Sequence, residues 1–499
     1  MKKSFYLMAT LLVAMVGCNK EIDSTNDGGI SSDDKVYMTF SIQTATTRSA
    51  TDAAGDTNSN ANPDYEVGTD VENKISKVDI VLCNNDSYVV ADDVVPTGSG
   101  STYIASFNSL TIAADTEYAV YIYANCDAPA TKDLDATTKE TVANMTKDNN
   151  FWMTNAYEAK KIETPEDMSI HTSQYAPLNL GAHYLERSMA RFDITCKDPG
   201  YTFEIGGQIF INLQEAAIIN QGAESYMLRR VSADGTATGW VVGGTETPSN
   251  YVVSPMWAEM NNGWNGQDLL SAKKGEFLSS PMIDKSTWNW VDLPTLFGND
   301  YQPWQYCKEN TIPGATNQLK GFTTAIVFKA ELDSENETIA EAMDANETLY
   351  MFENILYGSW DDVEDAASKS DAPATLVAAV AQVNSCSDDL KENGSAYTTA
   401  GFTGYSPDEN NHYYCYYYYY NRHNDNLDPA KMGPMEYAVV RNNVYKLSID
   451  KIKKIGHPDD PSLDPEPEDP SDPNESINYY FNVTAKVLPW VVRENHIEF

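Results

Sequence analysis

From Val36 to Gln43 the chain alternates strictly, with Val36, Met38, Phe40 and Ile42 on one face and Tyr37, Thr39, Ser41 and Gln43 on the other. A period of two predicts a half-buried first strand. The next segment, TATTRSATDAAGDTNSNANPD, surrounds Arg48 with small and polar residues and has no apolar period. It therefore predicts an exposed loop that a protease can reach. Further strands are expected at Ile75 to Cys83, Tyr103 to Phe107 and Glu117 to Asn125, with Gly, Asp and Asn turns between them, as in a β-sandwich. LERSMARFDITC, Leu185 to Cys196, leads into a second set of strands. These include FEIGGQIFINLQEAAIIN, LKGFTTAIVFKAEL, ETLYMFENILYG and YAVVRNNVYKLSIDKIKKI. A helix is expected at Pro373 to Val383, where Leu376, Val377, Val380 and Val383 fall at helical spacing among alanines.

Both ends depart from this pattern. After Gly456, HPDDPSLDPEPEDPSDPNES carries proline and acid too densely for a packed element, which predicts a solvated loop or a spacer. Beyond it, Tyr479, Phe481, Val483, Ala485 and Val487 alternate with polar residues up to Pro489, and a second apolar stretch, Trp490 to Val492 with Ile497 and Phe499, reaches the end. At the other terminus, MKKSFYLMATLLVAMVGC has two lysines, an apolar run too short for a membrane span, and a small residue directly before Cys18. This is the pattern of a bacterial lipoprotein signal, residues 1–17, with Cys18 as the diacylated first residue. Residues 18–35 then form a flexible tether, and two domains are expected at 36–187 and 188–499.

Composition narrows the function. The 499 residues allow two to four domains. The formal charge of −39 repels phosphate backbones, so no nucleic-acid partner is expected. Mean hydropathy of −0.45 with 31 tyrosines, 28 glycines and 23 prolines suits a turn-rich, soluble β protein. Six cysteines follow Cys18 (Cys83, Cys126, Cys196, Cys307, Cys386 and Cys415), with no C-x-x-C pair. Their even number permits disulfides, and buried thiols are the alternative.

No catalytic or nucleotide-binding motif appears, the histidines do not cluster at ligand spacing, and no cofactor or metal is expected. HNDNLD, His423 to Asp428, begins like a calcium loop but lacks its glycine and has Met435 in place of the closing glutamate. In YYCYYYYY, Tyr413 to Tyr420, an extended strand places tyrosines on both faces. Five of the nine tryptophans lie between Trp257 and Trp304, in loops rich in Asn, Gly and Asp. Trp264, Trp288 and Trp290, if exposed there, could stack on sugar rings; packing of a large insertion is the competing use.

The lipoprotein cysteine, the TTRS loop, LERSMARFDI, MEYAVVRNNVYKLSI and the terminal VLPWVVRENHIEF together resemble the Bacteroidales fimbrillins, the subunits of protease-assembled pili. The resemblance is nearest to the branch containing the major subunit of the minor, or short, fimbria. The tryptophan-bearing stretch 250–305 departs from a simple stalk subunit. The resemblance implies an all-β fold of two transthyretin-like β-sandwich domains in tandem, with long loops and the acidic proline-rich linker before the C-terminal strand. It also implies export as an outer-membrane lipoprotein, cleavage by an arginine-specific protease at Arg48, release of the first strand, and polymerisation by strand exchange. The displaced residues are then Val36, Met38, Phe40 and Ile42, and the donor carries Trp490, Val491, Val492, Ile497 and Phe499.

The expected role is structural, not enzymatic: a subunit of a cell-surface fimbrium, supporting adhesion, whose partners are neighbouring subunits head to tail, the protease and, before processing, the membrane. The rival reading is a tip adhesin or surface glycan-binding lipoprotein that contacts host or bacterial glycans or proteins through the tryptophans.

Overall fold

The computed structural model describes residues 36–44, 66–99, 102–109, 112–196, 202–205, 208–232, 241–242, 251–260, 274–294, 301–312, 317–423, 428, 430–433, 435–474 and 481–491. The fold is mostly β. Its first nine-stranded sheet contains Val36–Thr44, Val78–Cys83, Tyr88–Val94, Thr97–Ser99, Thr102–Ser109, Glu117–Ala124, Met153–Asn155, Lys160–Glu163 and Leu178–Arg187. The inward residues of these strands, among them Phe40, Ile80, Ile122, Met153 and Leu180, close into one apolar core. Such closure is what period-two alternation produces when one face is shielded from water.

Leu185 to Cys196, expected as one lead-in segment, is two strands broken at Ser188. Leu178–Arg187 ends the first sheet, and Met189–Cys196 begins a five-stranded one. In that second sheet, Met189–Cys196 lies between Gln302–Lys308 and the parallel Asn443–Ile452. It faces a six-stranded sheet in which Ile209–Ile219, Ala325–Ser334 and Tyr414–Tyr420 run side by side. Phe192, Ile194, Tyr445 and Leu447 from one sheet meet Ile211, Phe328 and Tyr417 from the other, forming a sandwich core.

The tyrosine run is packed on both faces. Tyr413, Cys415 and Tyr417 enter the sandwich core, while Tyr414, Tyr416, Tyr418 and Tyr420 meet Trp288 and Trp290 on the outside. The expected helix is present at Ala374–Asn384. It has company the pattern did not reveal: Glu337–Asp344, Trp360–Ser368, Asp388–Glu392 and Ser395–Thr399 are also helical. With a three-stranded sheet these helices bury Phe352, Val363, Leu376, Val383 and Phe402, so the connection between two neighbouring strands has a small core of its own. The six cysteines after Cys18 are all free thiols, and all but Cys386 are buried.

The acidic proline-rich segment is mostly irregular and more than half of its described residues are exposed, as expected of a solvated loop, but it is a strap fastened to the body and not a free spacer. His457–Pro458 pairs with Cys415 and Tyr416. Lys320 Nζ lies 2.8 Å from Glu468 Oε2, the amide of Gly321 donates to the Pro470 carbonyl at 2.9 Å, and Asn474 Nδ2 donates to Thr323 Oγ1 at 2.6 Å. His457 is enclosed between Asp464, bonded to its Nδ1, and Glu468, 3.4 Å from its Nε2. Burial opposes the imidazolium, yet those two carboxylates prevail and raise its pKa to about 9. Proline and acid density disfavours regular structure, but it does not prevent a chain from docking through carboxylates onto lysine and histidine.

Candidate functional site

The first strand is central. Val36–Thr44 runs antiparallel to Thr102–Ser109 from Val36 to Gln43 and parallel to Leu178–Arg187 from Met38 to Thr44, with a register shift between Thr39 and Ser41. Val36, Met38, Phe40 and Ile42 are each at most 2 % exposed, so these predicted core residues are brought together under one roof. The Phe40 ring meets Phe107 edge-on at 6.1 Å and His183 at 5.7 Å. Burial pushes the His183 imidazole down to about 4, so the floor beneath Phe40 is uncharged at neutral pH.

The terminal strand, Phe481–Val491, also lies in its own chain's sheet, antiparallel to Asn443–Ile452 from Ile452↔Phe481 to Asn443↔Pro489. It continues through Pro489, where the alternation suggested an interruption. On its other side, among the described residues, a strand borders it only at Trp490 and Val491, which pair in parallel with Glu66 and Val67. A proline is tolerated beside so short an outer neighbour because few N–H groups are needed there. Trp490 and Val491 thus sit at the end of the terminal strand, while Val492, Ile497 and Phe499 lie outside the described residues, as do Cys18 and Arg48.

Glu66–Val67 joins the second sheet, and a few residues further on the chain is held there by a buried ion cluster. Arg191 Nη1 reaches both carboxylate oxygens of Glu72 at 2.9 and 3.0 Å, and its Nε and Nη2 reach Asp193 at 2.8 and 2.9 Å. Tyr306 donates its hydroxyl to Glu72 Oε1 at 2.8 Å. Burial opposes ionisation of Glu72, but the Arg191 charge, the Thr69 amide and these bonds hold its carboxyl below the usual range. Arg187 Nε donates to the Glu72 carbonyl at 3.0 Å, and its Nη2 bonds Asn73. Nothing in the linear pattern announces this cluster, since Glu72, Arg191 and Tyr306 lie more than a hundred residues apart.

The tryptophan expectation is corrected in part. Trp288 is 6 % exposed, donates its indole N–H to the Pro281 carbonyl at 3.0 Å, and packs edge-on to Trp290 and Tyr418. Its ring faces are occupied by neighbouring side chains and are not offered to a sugar. Trp290 is half-buried against Tyr416, and Trp264 lies outside the described residues. Trp257 is buried beside Tyr251. Among the described residues no group of three His, Cys, Asp or Glu side chains could hold a metal ion, and no helix is long and apolar enough to cross a membrane.

The class these features define is a β-sandwich protein built round a central N-terminal strand and closed near its sheet edge by a C-terminal one. Residues 411–496, which span the tyrosine strand, the strap and the terminal strand, match the family model described as major fimbrial subunit protein type IV, fimbrillin, C-terminal. No curated protein matches the sequence. Among solved structures, the chain is similar to a candidate cell adhesion protein of Parabacteroides distasonis, with 14 % identity over 92 % of this chain and 98 % of that one and a TM-score of 0.41. It is also similar to a fimbrilin of Porphyromonas gingivalis, with 13 % identity over 92 % and 99 % and a TM-score of 0.39. A candidate cell adhesion protein of Bacteroides uniformis is similar at 10 % identity over 92 % and 100 %, with a TM-score of 0.31.

Proposed function

We propose that this protein is a structural subunit of a cell-surface pilus, exported as a lipoprotein through Cys18, cleaved at Arg48, and assembled by strand exchange between its two domains, 36–187 and 188–499, and those of its neighbours. The fimbrillin match at residues 411–496 supports the pilus-subunit role. The observation that carries the assembly scheme is the position of the first strand. It is the first strand among the described residues, yet it is central, with a paired neighbour on each side and four side chains in the core. Cleavage just beyond it converts it from part of the chain into a bound peptide.

Burying an apolar side chain is worth roughly 1.5–3 kcal/mol, so the four contribute about 6–12 kcal/mol, comparable to the roughly 5–15 kcal/mol net stability of a domain. A groove that loses them exposes apolar floor and two unpaired edges, which favour entry of another strand. Repeating that contact head to tail gives an open filament, since the two surfaces differ. The terminal residues, Trp490 to Phe499, are the donor in this scheme, and their exchange requires the end of the terminal strand to leave Glu66–Val67.

The test is polymerisation after digestion with an arginine-specific protease, followed by native gel and electron microscopy. Wild type is expected to form filaments, Arg48→Ala to remain an uncut monomer, and a chain lacking Trp490 to Phe499 to be cut without polymerising. Filaments from both variants would end the scheme.

A further inference from the structure

The sequence has eight arginines against a Lys+Arg total of 34, so lysine is the common cation. Six of the eight lie among the described residues, and none of them is exposed. Arg187, Arg191, Arg229, Arg230 and Arg441 are buried, and the Arg422 side chain is 22 % exposed. Each is engaged. Arg191 holds Glu72 and Asp193. Arg229 Nη1 lies 3.2 Å from Glu186 and its Nη2 donates to the Ala156 carbonyl at 2.5 Å. Arg230 bonds Asp135 and covers the Tyr226 ring at 4.1 Å. Arg441 reaches Glu309 at 3.2 Å and the Tyr226 carbonyl at 2.7 Å. Arg422 pairs with Glu436 at 2.6 Å and lies over Tyr437. Lysines are distributed differently: Lys308 and Lys320 are buried, but Lys74, Lys132, Lys161, Lys285, Lys369 and Lys451 are among those exposed.

Arginine, like lysine, is almost never fully buried unless paired, and its planar fork makes it the commoner cation of buried ion pairs. Stability alone does not require such pairs, because a buried ion pair is often no better than a well-packed apolar replacement. Arginine differs from lysine here in one respect that matters to a processed protein: it is the residue a cleaving protease with arginine specificity would read. Such a protease must take the side chain into a pocket and the flanking backbone into an extended groove. Arg187 and Arg191 lie in strands paired to their neighbours, and their side chains are enclosed.

We infer that the fold sequesters its six described arginines so that an arginine-specific protease can process the folded chain without cutting through its sheets, while many lysines, the cation that protease ignores, stay at the surface. The inference rests on the processing reading above. Cutting at a sequestered site requires local opening, so its rate follows the small population of opened molecules.

The experiment digests the folded full-length chain with an arginine-specific and, separately, a lysine-specific protease, and maps fragment ends by mass spectrometry. Two variants accompany it: Arg48→Ala, and Lys369→Arg, which places arginine at an exposed position. The arginine-specific enzyme is expected to cut Lys369→Arg after residue 369 on the order of a hundredfold faster than at any of the six described arginines, in wild type and in Arg48→Ala. The lysine-specific enzyme is expected to cut wild type at exposed lysines. Ends at Arg187, Arg191, Arg229, Arg230, Arg422 or Arg441 appearing as fast as the end at 369 would overturn the inference. So would survival of Lys369→Arg uncut at that position, because resistance would then be general. Cleavage after residue 48 is scored separately: its absence, with the six sites intact, would sink the processing reading and leave sequestration standing.

Discussion

Two strands of similar apolar character occupy opposite situations. Val36–Thr44 is flanked on both sides along its length, with its inward side chains in the core of the first sheet. Phe481–Val491 has one full-length neighbour, and on its other side a strand borders only its last two residues, among the described residues. The first is expensive to remove and leaves a two-edged groove; the second is held by fewer backbone bonds and uncovers one edge. A protein meant to exchange strands needs this asymmetry. The accepting groove must be worth filling, and the donor must be able to leave its place in the uncut chain.

The largest expected effect comes from weakening the central strand. Phe40→Ala removes a buried ring that touches Phe107 and His183, and should cost about 3–5 kcal/mol in urea unfolding of the uncut chain. In the polymerisation assay the same variant should release its first strand more readily after cleavage. Were its unfolding midpoint unchanged, the first strand would not be a core element and the comparison would collapse.

A smaller effect is expected at the strap that leads to the terminal strand. The folded pKa of His457, about 9, lies above the unfolded value near 6.5. Its contribution is therefore fully present below about pH 6.5 and is lost as pH rises through about 9. Loss of a charged hydrogen-bonded contact of this kind is worth roughly 1.5–3 kcal/mol. His457→Gln should thus be less stable than wild type at pH 6, with the gap closing towards pH 9 and above, as read from unfolding curves across that range. A gap that stays constant from pH 6 to pH 10 would show that the imidazolium does not hold the strap.

How much of this was legible in the sequence follows from whether the deciding contacts are local. The first strand announces itself because alternation is a property of adjacent residues, and Val36, Met38, Phe40 and Ile42 do share one buried face. That it would be central was not legible, since Thr102–Ser109 and Leu178–Arg187 are distant in sequence. The composition of the strap argues correctly against regular structure, but its docking was not legible, because its anchors at Lys320 and Thr323 lie about 150 residues away. Trp288 sits among Asn, Lys, Ser and Asp neighbours that suggest exposure, and only the tyrosine strand laid beneath it turns it inward. The arginines were hidden for the same reason: each carboxylate partner except Asp193 and Glu436 comes from a remote segment.

The smallest effect is a pattern in backbone amide exchange, which perturbs nothing. From Met38 to Gln43 both sides are paired apart from the register shift at Phe40, so amides directed to either neighbour there should exchange slowly, near the rate set by global unfolding. In Phe481–Leu488 the amides directed to Asn443–Ile452 should be slow, but those directed the other way, without a strand neighbour among the described residues, should exchange orders of magnitude faster. The terminal strand should therefore show alternating protection where the first strand shows continuous protection. Hydrogen exchange resolved to single amides reads the difference directly. Continuous protection through Phe481–Leu488 would mean that the terminal strand is as enclosed as the first, and the asymmetry between the two strands would be gone.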